Sequence, residues 1–105
     1  MAERLNEETF TGFIGESTLP VLVDFYQEGC VPCRRVAPLL SKTEAEYDGR
    51  IAVARVNLTR NEALAEQYEI AAAPTLVLFR AGKEIARHRG VIDRDGLRAF
   101  IESIF

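Results

Sequence analysis

The sequence predicts an α/β fold in which a central mixed β-sheet of four to five strands is flanked by helices on both faces. Three observations lead there. Runs dense in branched and aromatic apolar residues, at 21–26, 51–58 and 75–79, read as buried strands. Segments with apolar residues at helical spacing separate them. A polar run then follows the third strand across Ala81-Gly82 and reads as a hairpin return. The β-α-β stretch requires parallel pairing through right-handed crossovers, and the hairpin adds antiparallel pairing.

Taken in order, Asn6 is a good N-cap, and with Glu7 and Glu8 behind it predicts a helix over roughly 7–15 that carries Phe10, Phe13 and Ile14 on one side. Pro20 breaks the chain before the strand Val21-Leu22-Val23-Asp24-Phe25-Tyr26. A second helix is predicted from near Cys33 to about Tyr47. Val36, Leu39, Leu40 and Thr43 form its apolar stripe, Pro38 inside it is expected to kink it, and Asp48-Gly49 ends it. The second strand follows, then a short helix capped by Asn61 with Ala63, Leu64 and Tyr68. The third strand is entered through Ala73-Pro74, and 84–90 returns as a polar strand. Asp93 caps a last helix with Leu97, Phe100, Ile101 and Ile104. The expected order is α-β-α-β-α-β-β-α.

The chain has 105 residues, enough for one domain over 1–105 with a core of its own. A net charge of −3, from 13 basic and 16 acidic residues, argues against nucleic acid as the main partner. No apolar run approaches the ~18 residues needed to cross a bilayer, so no membrane association is expected. Residues 1–8 contain no apolar signal core, which makes a cytoplasmic location the expectation.

Two cysteines stand alone, in Gly29-Cys30-Val31-Pro32-Cys33-Arg34. They follow a buried strand and open a helix. Unpaired N–H groups and the positive end of the macrodipole at a helix N-terminus favour a thiolate, the reactive form of cysteine. Thiol–disulfide exchange is therefore the functional reading. Cys30, just outside the helix, is the candidate nucleophile, and Cys33, one turn in, the shielded resolving thiol. Pro32 has no N–H to waste in a first turn and stiffens the link between the sulfurs. Arg34 and Arg35 are candidates for added positive potential. Two other readings compete. A four-residue staple would remove little chain entropy, on the order of 2 kcal/mol. A structural zinc site usually takes four ligands, and only Cys30, Cys33 and His88 offer sulfur or imidazole here. No metal is expected.

Asp24 interrupts an apolar strand six residues before Cys30. Burial there would raise its pKa and fit it to take a proton from Cys33, directly or through a water; a strand end meeting solvent is the plainer reading. Arg55 lies in the second buried strand, and either pairs with Asp24 or points outward. Pro74 opens a strand, where proline is tolerated in the trans form and where a cis bond would be a locked feature. His88, between Arg87 and Arg89, reads as an exposed strand residue.

These residues together resemble the thioredoxin family over nearly the whole chain. The strand 21–26 followed by Cys30-Val31-Pro32-Cys33 is similar to that family's strand and C-G-P-C site. Ala37-Pro38-Leu39 is similar to its kinked helix, Ala73-Pro74-Thr75-Leu76 to its cis-proline loop, Phe79-Arg80-Ala81-Gly82-Lys83 to its hairpin, and Gly90 to a loop glycine beside the site. The resemblance implies a thioredoxin-like fold and a protein-disulfide reductase working through a reversible Cys30–Cys33 pair. It implies a lowered Cys30 pKa, Asp24 as buried proton acceptor, and Arg55 in place of the family's usual lysine. It also implies a cis Pro74 that shapes the substrate groove, and an Ala73 backbone that pairs with the substrate chain. No bound cofactor is implied. Electrons would come from a thioredoxin-reductase-type partner, the substrates would be disulfide-containing proteins, and a monomer is expected.

The chain also departs from the family. Gly29 stands where the family usually has Trp, Tyr26 replaces a second Trp, and Val31 replaces a glycine; the family's first strand is cut to roughly residues 2–5. These departures bear on partner choice. They keep two alternatives open: an oxidant or isomerase on the same fold, and a binding module with idle cysteines.

Overall fold

The structure, a computed structural model, describes residues 2–105. The elements are β1 (Glu3–Leu5), α1 (Phe10–Glu16), β2 (Val21–Tyr26), α2 (Val31–Glu46), β3 (Ala52–Asn57), α3 (Glu62–Gln67), β4 (Thr75–Arg80), β5 (Lys83–Arg89) and α4 (Arg94–Glu102). They form one five-stranded sheet in the order β1-β3-β2-β4-β5. β1 and β2 run parallel to β3, while β4 is antiparallel to both β2 and β5.

β2 lies at the centre, and its first five residues are buried. That is the outcome expected of an apolar run with no polar alternation. Alternate side chains along it enter two cores. Val21, Val23 and Phe25 join Phe10, Ile14, Leu64, Val77 and Phe79 beneath α1 and α3. Leu22 joins Val36, Leu40, Leu76, Leu78, Leu97 and Ile101 beneath α2 and α4. Asp24 has the parity of Leu22, so the sheet turns it towards α2. The Phe10 ring meets Phe25, Tyr68 and Phe79 at centroid distances of 5.9, 5.2 and 5.6 Å, which pins α1 to the sheet.

Several boundaries differ from the sequence expectation. The extra strand β1 is real though short, and pairs Arg4 with Arg55 in register. Asn6 caps a turn ahead of α1, accepting the N–H groups of Glu8 and Thr9 at 2.9 and 3.0 Å. The helix proper starts at Phe10. Asn61 does not cap α3 through its side chain. Its Oδ1 accepts Glu7 N–H at 3.1 Å and its Nδ2 donates to Asn57 O at 2.8 Å. The free N–H of Ala63 at the start of α3 goes instead to the Glu7 carboxylate at 2.8 Å, a partner 56 residues away that no local pattern reveals. α2 begins at Val31, two residues earlier than expected, and continues through Pro38.

Asp93 caps α4 as expected, its Oδ1 accepting Gly96 N–H at 2.7 Å. Asp93→Ala is expected to lower stability by ~1 kcal/mol, read as a drop in the urea midpoint with an unchanged slope. An unchanged midpoint would mean that the cap contributes nothing.

Candidate active site

The site forms where the C-terminal end of β2 meets the N-terminus of α2. Gly29 has a φ of 73°, in the left-handed region, where a side chain is strained and glycine is not. The departure at position 29 therefore has a backbone counterpart: this turn fits glycine better than the family's usual Trp. The loop is anchored by Glu28 N–H donating to Thr59 Oγ1 at 3.0 Å.

Cys30 is the N-cap of α2 and Cys33 lies in its first turn. The two are joined by a disulfide with Cα atoms 5.3 Å apart, so the structure holds the oxidised form. Cys33 N–H donates to Cys30 Sγ at 3.2 Å. The helix thus directs one of its unpaired donors onto the sulfur that the sequence marks as nucleophile. Cys30 is half-buried and reachable, whereas Cys33 is 2% exposed and lies with the buried Val36 and Leu40 on the inner face of α2. Pro32 sits in the first turn of α2, where the missing N–H costs nothing.

A second loop closes over the dithiol. The Ala73–Pro74 bond is cis, and Ala73 O lies 3.8 Å from Cys30 Sγ. Thr75 Oγ1 donates to Ala72 O at 2.6 Å, and Gly90 N–H donates to Pro74 O at 2.8 Å. The loop after β5 is thereby tied to the one before β4. His88 is half-buried, with Nε2 3.1 Å from Val91 O and its ring against Phe100. It braces this loop rather than standing free as the sequence suggested. Val31 and Val91 remain 50% and 54% exposed on either side of the dithiol.

Asp24 is fully buried at 0% exposure. Burial pushes its carboxyl from 3.8 up to about 6, and the charge and hydrogen bond of Arg55 oppose the rise. Arg55 Nε donates to Asp24 Oδ2 at 3.0 Å, which settles the open choice between pairing and pointing outward. Its guanidinium lies 4.0 Å from the centre of the Tyr26 ring, within range of a cation–π contact. Among the described residues Asp24 Oδ1 is buried without a hydrogen-bond partner, an uncommon state for a native polar atom. A cleft of about 130 Å³ lined by Arg4, Ala37, Leu40, Ser41 and Arg55 brings solvent to the outer side of the ion pair. Without Arg55 only burial acts on Asp24, so Arg55→Gln is expected to move its titration above about 6. Carboxyl carbon NMR shifts across a pH series check this, and a midpoint that stays or falls would contradict it.

The family model for thioredoxin matches residues 1–103. The chain belongs to the thioredoxin family. It is 39% identical over 99 residues to thioredoxin of Acidithiobacillus ferridurans, a match covering 94% of this chain and 92% of that one. Thioredoxin 1 of Nostoc sp. is 36% identical over 101 residues, covering 96% and 94%. Thioredoxin C-2 of Corynebacterium nephridii is 35% identical over 96 residues, covering 91% and 89%. With the disulfide-bonded pair at the helix N-terminus, this makes the protein a thiol–disulfide oxidoreductase of the thioredoxin type. Thioredoxins carry out this exchange without a cofactor. Among the described residues no cluster of metal-ligating side chains occurs, and no helix is long and apolar enough to cross a membrane.

Cys30, Cys33, Ala73, Pro74 and Gly90 come together around the sulfurs, and Asp24 and Arg55 form one pair beneath α2. The Tyr26 platform under Arg55 escaped the sequence reading. Its only signal was the parity of 26 with 24 on one strand and the register that sets Asp24 against Arg55.

Proposed function

We propose that the protein reduces protein disulfides through a reversible Cys30–Cys33 couple, acting as a single domain over 1–105. The observation that carries this reading is Cys30 Sγ seated on the N-terminus of α2 with Cys33 N–H directed at it. In the reduced protein, the Cys30 thiolate attacks one sulfur of a substrate disulfide. A Cys30–substrate bond forms, the substrate S–S bond breaks, and one substrate thiol leaves after taking a proton from solvent. Cys33 then gives its proton to Asp24 and attacks Cys30 Sγ. The intramolecular disulfide closes and the second substrate thiolate leaves and is protonated. Two electrons pass to the substrate, and the protein ends in the oxidised form.

The other roles follow from position. Ala73 and Pro74 shape the groove beside Cys30, with Ala73 O available to a substrate backbone. Gly29, Val31, Pro32 and Gly90 form its rim. Arg55 holds Asp24 Oδ2 and leaves Oδ1 to accept the proton. A thioredoxin-reductase-type partner returns the electrons. The setting we infer is a monomer in the cytoplasm, serving electron transport and redox homeostasis. Reduction of insulin disulfides with such a reductase as electron source tests the reading. Sustained turnover is expected. A reduced protein that leaves insulin intact would overturn it, and a couple far more oxidising than the glutathione poise would favour the oxidant or isomerase.

A further inference from the structure

The arginines are partnered almost everywhere except around the dithiol. Arg50, Arg55, Arg60, Arg87, Arg94 and Arg98 each pair with a carboxylate, and Arg80 donates to Ile104 O. Of the 11 arginines, Arg4, Arg34, Arg35 and Arg89 remain without such a partner among the described residues. Three of these four border the site. Arg34 is four residues after Cys30 on α2, so it lies on the same side of that helix one turn below the nucleophile. Arg35 stands likewise to Val31, and lines a cleft of about 350 Å³ with Val91, Ile92 and Asp93. Arg89 pairs with Thr75 across β4 and β5 and precedes Gly90, whose N–H bonds to Pro74 O. All three are exposed.

The acidic groups nearby are already engaged. Glu28 accepts from Asn57 and Arg60 at 2.8 and 2.7 Å, and Asp93 caps α4. Asp93 returns one negative charge to this rim, which stays net positive. Elsewhere the chain carries ten basic against 15 acidic residues, a net of −5. The charge is thus polarised, with a basic ring around the exposed apolar side chains of Val31 and Val91 on an acidic body.

We propose that this surface selects disulfide-bearing protein segments whose cysteines are flanked by acidic side chains. The proposal rests on the oxidoreductase reading and specifies its substrate class. Unpaired rim charges act mainly on encounter: they raise association with an oppositely charged partner and suppress like-charged ones. The valines supply the apolar contact at the centre. The acidic remainder of the chain repels acidic partners that approach elsewhere, which favours productive orientation at the dithiol.

Two synthetic peptides test this, each with one internal disulfide and identical except for two Glu or two Lys beside the cysteines. The chain has no Trp, so oxidation of the reduced protein is followed by acid quench and mass spectrometry. The Glu peptide is expected to react ~5-fold faster at low salt. The ratio should fall towards one near ~0.5 M salt, where screening shortens the reach of surface charge to a few ångströms. Arg35→Glu with Arg89→Glu should invert the ratio. The ratio is the readout because any change in Cys30 reactivity cancels between the two peptides. Equal rates at low salt, or a ratio untouched by the double substitution, would overturn the proposal while leaving disulfide reduction intact. Failure to reduce either peptide would remove the oxidoreductase reading, and this proposal with it.

Discussion

Cys30→Ser is expected to abolish disulfide reduction, with a loss of ~10³-fold or more, whereas Cys33→Ser is expected to stop halfway and accumulate a mixed disulfide. The two sulfurs are three residues apart, yet their surroundings differ in kind. Cys30 is reachable and receives a helix N-terminal N–H, so its thiolate is the one expected to form and to meet substrate. Cys33 is 2% exposed, so it can attack only a sulfur already brought to Cys30. Mass spectrometry of each variant after exposure to a disulfide protein separates the roles. A covalent adduct on Cys30 in the Cys33→Ser protein, and none on Cys33 in the Cys30→Ser protein, is the expected pair of results. Adducts of similar yield on both would contradict this division of labour.

Asp24→Asn is expected to stabilise the oxidised protein and to slow its turnover. The native carboxyl titrates at about 6 instead of 3.8 because it is buried. Holding it charged in that place therefore costs ~3 kcal/mol at most relative to the unfolded chain. The folded-state value is the higher one, which fixes the sign. Below about 3.8 the carboxyl is neutral in both states and its contribution to stability is fully present. That contribution is lost as pH rises through about 6. The stability difference between variant and native protein should therefore open between roughly pH 4 and 7 and stay constant above. A gain of ~1–3 kcal/mol at pH 8 is expected, reduced from the full figure by the buried amide that replaces the carboxyl. Arg55 keeps its stacking on Tyr26 and its partial contact with solvent, so it is not stranded. Turnover should fall ~10- to 100-fold at pH 7, since water must replace the internal acceptor. Denaturant titrations across pH, paired with insulin reduction, test both halves. A variant less stable at pH 8, or one with native turnover, would contradict the role given to Asp24.

The opposed signs explain how an aspartate comes to stand in an otherwise apolar strand. Asp24 is expected to cost stability in the resting protein and, among the described residues, is supported from one side only. Arg55 satisfies Oδ2, the sheet buries Oδ1, and the ring of Tyr26 holds the guanidinium in place. A site optimised for stability would have paired both oxygens or carried an apolar residue.

Much of this was legible in the sequence because it rests on local pattern. The runs at 21–26 and 75–79 are apolar apart from Asp24 and Thr75, and only a sheet covered on both faces buries such runs. Cys30, Cys33 and Pro32 announce themselves through the spacing of a helix start. Asp24 stands out as one charge in an apolar strand. The illegible parts are long-range. β1 is three residues long and exists through pairing with β3, so only the family resemblance pointed to it. The cap on α3 comes from Glu7 rather than from Asn61. The ion pair of Arg55 with Asp24 needs the parallel register of β2 and β3, which no window of sequence contains. The bond at Ala73–Pro74 was open from the residues alone, and only the family resemblance pointed to cis. Gly29 read as the loss of the family's usual Trp, and its left-handed φ adds a backbone feature that suits glycine there.

The measurement closest to the central claim is the pH dependence of alkylation of the reduced protein, with the modified cysteine identified by mass spectrometry. Cys30 sits on the N-terminus of α2 and Cys33 is buried behind it. Cys30 is accordingly expected to react first, with a midpoint clearly below the ~8.5 of an ordinary thiol. A midpoint near that ordinary value, or alkylation of Cys33 ahead of Cys30, would contradict the account.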